Sequence, residues 1–174
     1  MDELRVPLSA LRAGPVTRTV RTQDPQGAFG ELPFPLEEVE VEIRVERGAG
    51  DEVRARGQVW ARARLPCRRC LKEVPLQLEA ILDAWFRPEG EVEAGEEGVW
   101  VLGDAEGEVD LGPPVREELW MAAPEYVECT PGCEGLCPGC GVRLDEESCT
   151  CGPPELDPRW EALRSLADAG SEKG

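Results

Sequence analysis

Residues 39–46 read Val-Glu-Val-Glu-Ile-Arg-Val-Glu, an unbroken alternation of branched apolar and charged side chains. Successive side chains leave a strand by opposite faces, so a period of two marks a strand with one face in a core and one in water. Val39, Val41, Ile43 and Val45 then point inward, and Glu40, Glu42, Arg44 and Glu46 outward. A turn, Gly48-Ala49-Gly50-Asp51, follows, and a second alternation runs from Val53 to Leu65. Two such runs around a Gly-rich turn predict an antiparallel pair. A third alternation, Val74 to Phe86, puts Leu76, Leu78, Ala80, Leu82, Ala84 and Phe86 on one face, and Val99 to Leu102 reads as a further short strand. The expected fold class is mainly β with small α content, an antiparallel sheet or partial barrel.

Outward from this core the pattern weakens. Residues 1–36 are punctuated by Pro7, Pro15, Pro25, Pro33 and Pro35, which predicts short edge strands and turns. Residues 87–98 carry Glu89, Glu91, Glu93, Glu96 and Glu97 and read as a solvated acidic loop. Pro113 and Pro114 precede Val115-Arg116-Glu117-Glu118-Leu119, a short helix closed before Pro124. Near the end, Asp157-Pro158 reads as a helix start, with Trp160, Leu163 and Leu166 as the apolar stripe of a short C-terminal helix.

Composition excludes several function classes. The 174 residues hold 19 basic and 36 acidic side chains, a net charge of −17, which opposes generic binding to nucleic acid or to an anionic membrane. There is no histidine, which removes the commonest general acid–base, the His-assisted nucleophiles and every zinc site built on imidazole. The start, Met1-Asp2-Glu3-Leu4-Arg5, is acidic where a secretion signal is basic, and no stretch is apolar enough to span a membrane. The expectation is a cytoplasmic, non-enzymatic protein with no membrane contact and no small-molecule substrate.

In a reducing compartment, closely spaced cysteines read as metal ligands or redox motifs before they read as disulfides. The eight are Cys67, Cys70, Cys129, Cys133, Cys137, Cys140, Cys149 and Cys151. Zinc favours four ligands in a tetrahedron, and a two-residue spacer lets one tight turn aim both sulfurs at one ion. Cys67-Arg68-Arg69-Cys70 and Cys137-Pro138-Gly139-Cys140 both have that spacing. The partition that gives each site one such knuckle joins Cys67 and Cys70 to Cys129 and Cys133, and leaves Cys137, Cys140, Cys149 and Cys151 for a second Zn2+. The first site would staple the sheet to the C-terminal segment; the second would be local, with the single-residue spacer of Cys149-Thr150-Cys151 its weak point. Rival readings are a thiol redox pair, which lacks the strand-then-helix setting that lowers a thiol pKa, a disulfide framework, and an iron–sulfur cluster. Catalytic zinc is disfavoured because four thiolates leave no open position.

Between Val53 and Lys72 lie seven basic residues and no acidic one. Strand alternation puts Arg54, Arg56, Gln58, Trp60, Arg62 and Arg64 on one face, running on into Arg68 and Arg69 at the first knuckle. Arg54, Arg56, Trp60, Arg62, Arg64, Arg68 and Arg69 are therefore candidates for RNA binding, with arginines on phosphates and bases stacked on Trp60. The competing reading is a solvated ladder in which the arginines pair across strands with Glu40, Glu42 and Glu46.

At Cys67-Arg68-Arg69-Cys70, Cys133-Glu134-Gly135-Leu136-Cys137-Pro138-Gly139-Cys140-Gly141, Cys149-Thr150-Cys151 and Asp157-Pro158-Arg159-Trp160-Glu161-Ala162-Leu163, the chain resembles the bacterial YceD family, which is associated with accumulation of the large-subunit ribosomal RNA. The likeness includes Val109-Asp110-Leu111 and Glu117-Glu118-Leu119, and departs at Asp145, where members often carry Asn. It implies a non-enzymatic role in ribosome biogenesis, with ribosomal RNA or ribosomal proteins of the large subunit as partners and the cysteines as metal ligands. An acidic surface suits a basic ribosomal protein as well as the basic strand suits RNA, so a zinc-scaffolded adaptor without RNA contact and a thiol redox sensor are the alternatives. The organisation expected is an antiparallel β domain over 1–125, a cysteine-rich zinc-binding segment over 126–156, and a C-terminal helix and tail over 157–174.

Overall fold

The alternating runs become three long antiparallel strands that carry the rest of the chain. In this computed structural model, residues 2–88, 90–92, 98–102, 107–152 and 159 are described. Short 3-10 turns at Asp2–Leu4 and Ala10–Arg12 flank β1 (Arg5–Pro7), followed by β2 (Val16–Thr22), α1 (Pro25–Phe29), β3 (Leu36–Arg47), β4 (Val53–Pro66), β5 (Glu73–Arg87), β6 (Val99–Val101), β7 (Glu108–Asp110) and α2 (Gly112–Ala122). The main sheet has the order β2-β3-β4-β5-β6, and β1 pairs with β7 in a separate two-stranded ribbon. All neighbours in the main sheet are antiparallel except β5 and β6, which run parallel.

The inward set matches the alternation: Val39, Val41, Ile43, Val45, Val53, Ala55 and Val59 are fully buried, and Leu78, Leu82, Ala84 and Phe86 nearly so. Helix α2 packs on β5 and β4 and meets α1, while Val6, Val109, Leu111, Val115 and Leu119 close the same core from the other side. Asp110 accepts a hydrogen bond from the Gly112 N–H at 2.9 Å, satisfying one free donor where α2 begins. At Gly57, in the middle of β4, an added Cβ would lie 2.0 Å from the Glu42 carbonyl oxygen, so only glycine allows β3 this close.

The sheet is open, which corrects the partial-barrel expectation. Alternation shows that one face is buried but not what buries it, and here helices and the β1–β7 ribbon cover that face. The other face of β2 to β5 is left to solvent. The expected C-terminal helix with Trp160, Leu163 and Leu166, and positions 89 and 93–97 of the acidic loop, lie outside the described residues. No helix among the described residues is long and apolar enough to cross a membrane.

Candidate metal centres

The turn joining β4 to β5 carries Cys67 and Cys70, and the segment after α2 runs back to it. Cys67 bridges in parallel to Val127, whose carbonyl accepts the Arg68 N–H at 2.8 Å. That pairing brings Cys129 and Cys133 to the first knuckle. Two groups result, Cys67, Cys70, Cys129, Cys133 and Cys137, Cys140, Cys149, Cys151, with the sulfurs of each within 4.8 Å of one another. These are the two sets expected from spacing.

The knuckles share one backbone design. In the first, the Cys67 N–H donates to the Lys72 carbonyl at 2.8 Å and the Leu71 N–H to the Cys67 carbonyl at 3.0 Å. In the second, Cys137 N–H donates to Val142 at 2.8 Å and Gly141 N–H to Cys137 at 2.9 Å. Both turns need a left-handed residue after the second cysteine: Gly141 has φ 77° and Leu71 has φ 60°. The first sulfur of each knuckle also accepts a backbone N–H, from Arg69 at 3.5 Å and from Gly139 at 3.3 Å.

All eight thiols are free, and the sulfur separations decide between cross-link and cation. Cys67–Cys133 is 4.0 Å and Cys70–Cys129 3.5 Å; Cys137–Cys149 is 3.1 Å and Cys140–Cys149 3.6 Å. A disulfide needs about 2.05 Å. A tetrahedron with Zn–S of about 2.3 Å has edges of about 3.8 Å, so both donor sets fit a four-coordinate, thiolate-binding cation such as Zn2+. Cys149 and Cys151 fit one set together, the Cys151 N–H donating to the Cys149 sulfur at 3.2 Å.

Ionisation within each group is uneven. Backbone N–H donors, first that of Cys70, lower Cys67 to about 6, whereas burial pushes Cys133 up to about 12. The Cys140 N–H and its neighbours likewise lower Cys137 to about 6, and hydrogen bonding to Cys149 and other nearby sulfurs raises Cys151 to about 12. Four sulfurs this close lose all their protons only when a cation neutralises them. The surroundings also differ: Cys67, Cys70 and Cys133 are buried, while Cys140 and Cys151 are exposed.

Four cations surround the first group. Arg68 donates from Nε to Glu128 at 2.8 Å and stacks on the Tyr126 ring at 4.3 Å; Arg69 donates to the same carboxylate and to the Cys133 carbonyl at 3.1 Å. Arg143 donates to the Cys70 carbonyl at 3.3 Å, and Lys72 pairs with Glu146 at 3.1 Å, tying the second knuckle to the first. The Arg68 guanidinium holds the Glu128 carboxyl below its usual range, and Lys72 does the same for Glu146. Each carboxylate is shared by two cations, which leaves positive charge beside thiolates that need it. Arg143 and Glu128 escaped sequence reading because only the folded return of the chain brings them here. Leu71 was missed as well, although aligning the two knuckles sets it on Gly141.

The remaining candidates, Arg54, Arg56, Trp60, Arg62 and Arg64, lie together on the open sheet face of β4. Arg54 forks onto Asp83 at 2.8 and 2.6 Å and stacks over Trp85 at 4.5 Å; hydrogen bonding to Arg54 lowers the Asp83 pKa. Arg56 lies 3.6 Å from Asp83, Arg62 2.6 Å from Glu38, and Arg64 pairs with Glu37. These four arginines thus form a ladder of ion pairs with carboxylates other than Glu40, Glu42 and Glu46; Glu40 instead holds Arg21 at 3.0 Å and Glu46 holds Arg44 at 3.2 Å.

A family model described as large ribosomal RNA subunit accumulation protein YceD matches residues 55–167, from near the start of β4 through both cysteine groups. Uncharacterized proteins from two strains of Mycobacterium tuberculosis and from Mycobacterium bovis are each 30% identical over 139 residues, covering 77% of this chain. The match spans 64% of the length of those relatives. No solved structure matches the chain.

Proposed function

The chain belongs to the YceD family, the large ribosomal RNA subunit accumulation proteins, and from that membership we propose that it is a non-enzymatic, cytoplasmic factor in large-subunit ribosome biogenesis, its fold held by two structural Zn2+ ions. The observation that carries the metal part is the assembly of all eight cysteines into two groups of four, the sulfurs of each within 4.8 Å of one another. When bound, each ion would offset part of the charge of its four thiolates; the first would cross-link segments far apart in sequence and the second would close a local loop. Cys67, Cys70, Cys129 and Cys133 would hold the ion that fixes the C-terminal segment on the β4–β5 turn, and Cys137, Cys140, Cys149 and Cys151 the ion that shapes that segment.

The test is deletion of the gene in its own host, followed by the ratio of large- to small-subunit ribosomal RNA. The ratio falls in the deletion strain, returns with the intact gene, and does not return when Cys67 and Cys70 are both replaced by Ser. An unchanged ratio in the deletion strain removes the ribosomal role.

A further inference from the structure

Every arginine on the open face of the sheet is already held by a carboxylate. Arg21 lies 3.3 Å from Glu38 and 3.0 Å from Glu40, Arg62 reaches Glu38, Arg44 reaches Glu46, Arg54 and Arg56 share Asp83, and Arg64 is held by Glu37 and Glu73. Glu42 and Glu79, on the same face, make no ion pair among the described residues. The surplus on this face is therefore negative, in a protein whose net charge is already −17.

The surplus centres on an aromatic side chain. Trp60 stands directly between Glu40 on β3 and Glu79 on β5 in the strand register. It is half-buried and floors a hollow of about 200 Å3 bordered by Arg21, Glu38, Glu40, Arg62 and Glu79. A phosphate entering there would have to displace Glu38 from Arg21 and Arg62 and lie beside two carboxylates. A guanidinium would meet an indole face and an unpaired carboxylate, the two groups it binds best. The same sheet shows that arrangement completed from within: Arg54 lies over Trp85 at 4.5 Å and forks onto Asp83. Arg68, over Tyr126 and bound to Glu128, repeats it at the knuckle.

We propose that the Trp60 hollow binds an arginine side chain of a basic polypeptide, its guanidinium stacked on the indole and forked onto Glu79. The site deepens the proposed role by naming the partner's chemistry, and it rests on that role only for placing the partner among proteins of the large subunit. RNA does not contact this face.

The test uses the full chain, isolated with its metal, and a labelled peptide of about 20 residues alternating Arg with Ser, followed by fluorescence anisotropy at physiological salt. W60A and E79Q each weaken binding by about tenfold, a loss of about 1.4 kcal/mol. E125Q, which removes an exposed charge elsewhere, leaves it unchanged, and a citrulline-for-arginine peptide does not bind. W60F keeps most of the affinity, and it decides the matter with E79Q should W60A fail to fold. Equal losses in E79Q and E125Q would reduce the attraction to diffuse charge and overturn the site. Retention of a single-stranded RNA of about 20 nucleotides that R62Q abolishes would overturn it in favour of RNA. An unchanged ribosomal RNA ratio in the deletion strain, with peptide binding intact, would remove the ribosomal role and leave the arginine site standing.

Discussion

Leu71 is the one non-glycine residue with positive φ among the described residues, and its side chain is 59% exposed. A leucine held in the left-handed region costs about 1–3 kcal/mol. Its exposure means that no packing compensates; what holds it is the hydrogen-bond pattern it shares with Gly141 in the second knuckle. Leu71→Gly relieves the strain while adding freedom to the unfolded chain, for a net gain of about 0.5–1 kcal/mol. Denaturant unfolding of the metal-loaded protein checks this, with the variant's midpoint moving upward; a downward shift would mean that Leu71 makes contacts the geometry does not show. The two cysteine groups were the most legible feature at this scale, because two-residue spacing has a narrow chemical meaning. The residues around them were not, since Arg143 and Glu128 act through partners about 60 to 70 positions away.

Among the elements, β3, β4 and β5 were readable because period-two alternation reports directly on a half-buried strand. The hidden part was register. Glu40, Glu42 and Glu46 are near β4 in sequence, yet Glu40 lies opposite Trp60 and Glu42 opposite Gln58, while Asp83 of β5 takes Arg54 and Arg56. Which acid meets which arginine depends on side-chain reach across a twisted sheet, and alternation carries no information on that. The closure of the sheet was hidden for a related reason: its cover comes from α2, α1 and the β1–β7 ribbon, elements whose sequences say little about where they dock. Gly57 tests the strand geometry. Gly57→Ala sets a Cβ against the Glu42 carbonyl and the Ile43 Cα, which are backbone atoms that cannot turn aside. The variant loses about 2 kcal/mol or more, read by thermal melting, and retains its metal content. A stability equal to the parent's would show that β3 and β4 are not this close.

Over the whole molecule, a sheet with one solvated face is joined to a segment that contains few apolar side chains of its own. The first cysteine group sits at that joint: Cys67 and Cys70 come from the main sheet's longest hairpin, and Cys129 and Cys133 from the chain that follows α2. The hydrogen bond from Arg143 to the Cys70 carbonyl, and the Lys72–Glu146 pair, draw the second group against the first. A cation at each group, as proposed, would convert crowded, unevenly ionised thiols into two cross-links, on which the proposed role of the cysteines depends. Native mass spectrometry of freshly purified protein, paired with a denatured mass and a thiol count, tests it most directly. Two zinc ions per chain, and eight free thiols once the metal is removed, are expected; a metal-free native mass, or a denatured mass short by about two hydrogens for each disulfide, would rule out the two zinc sites.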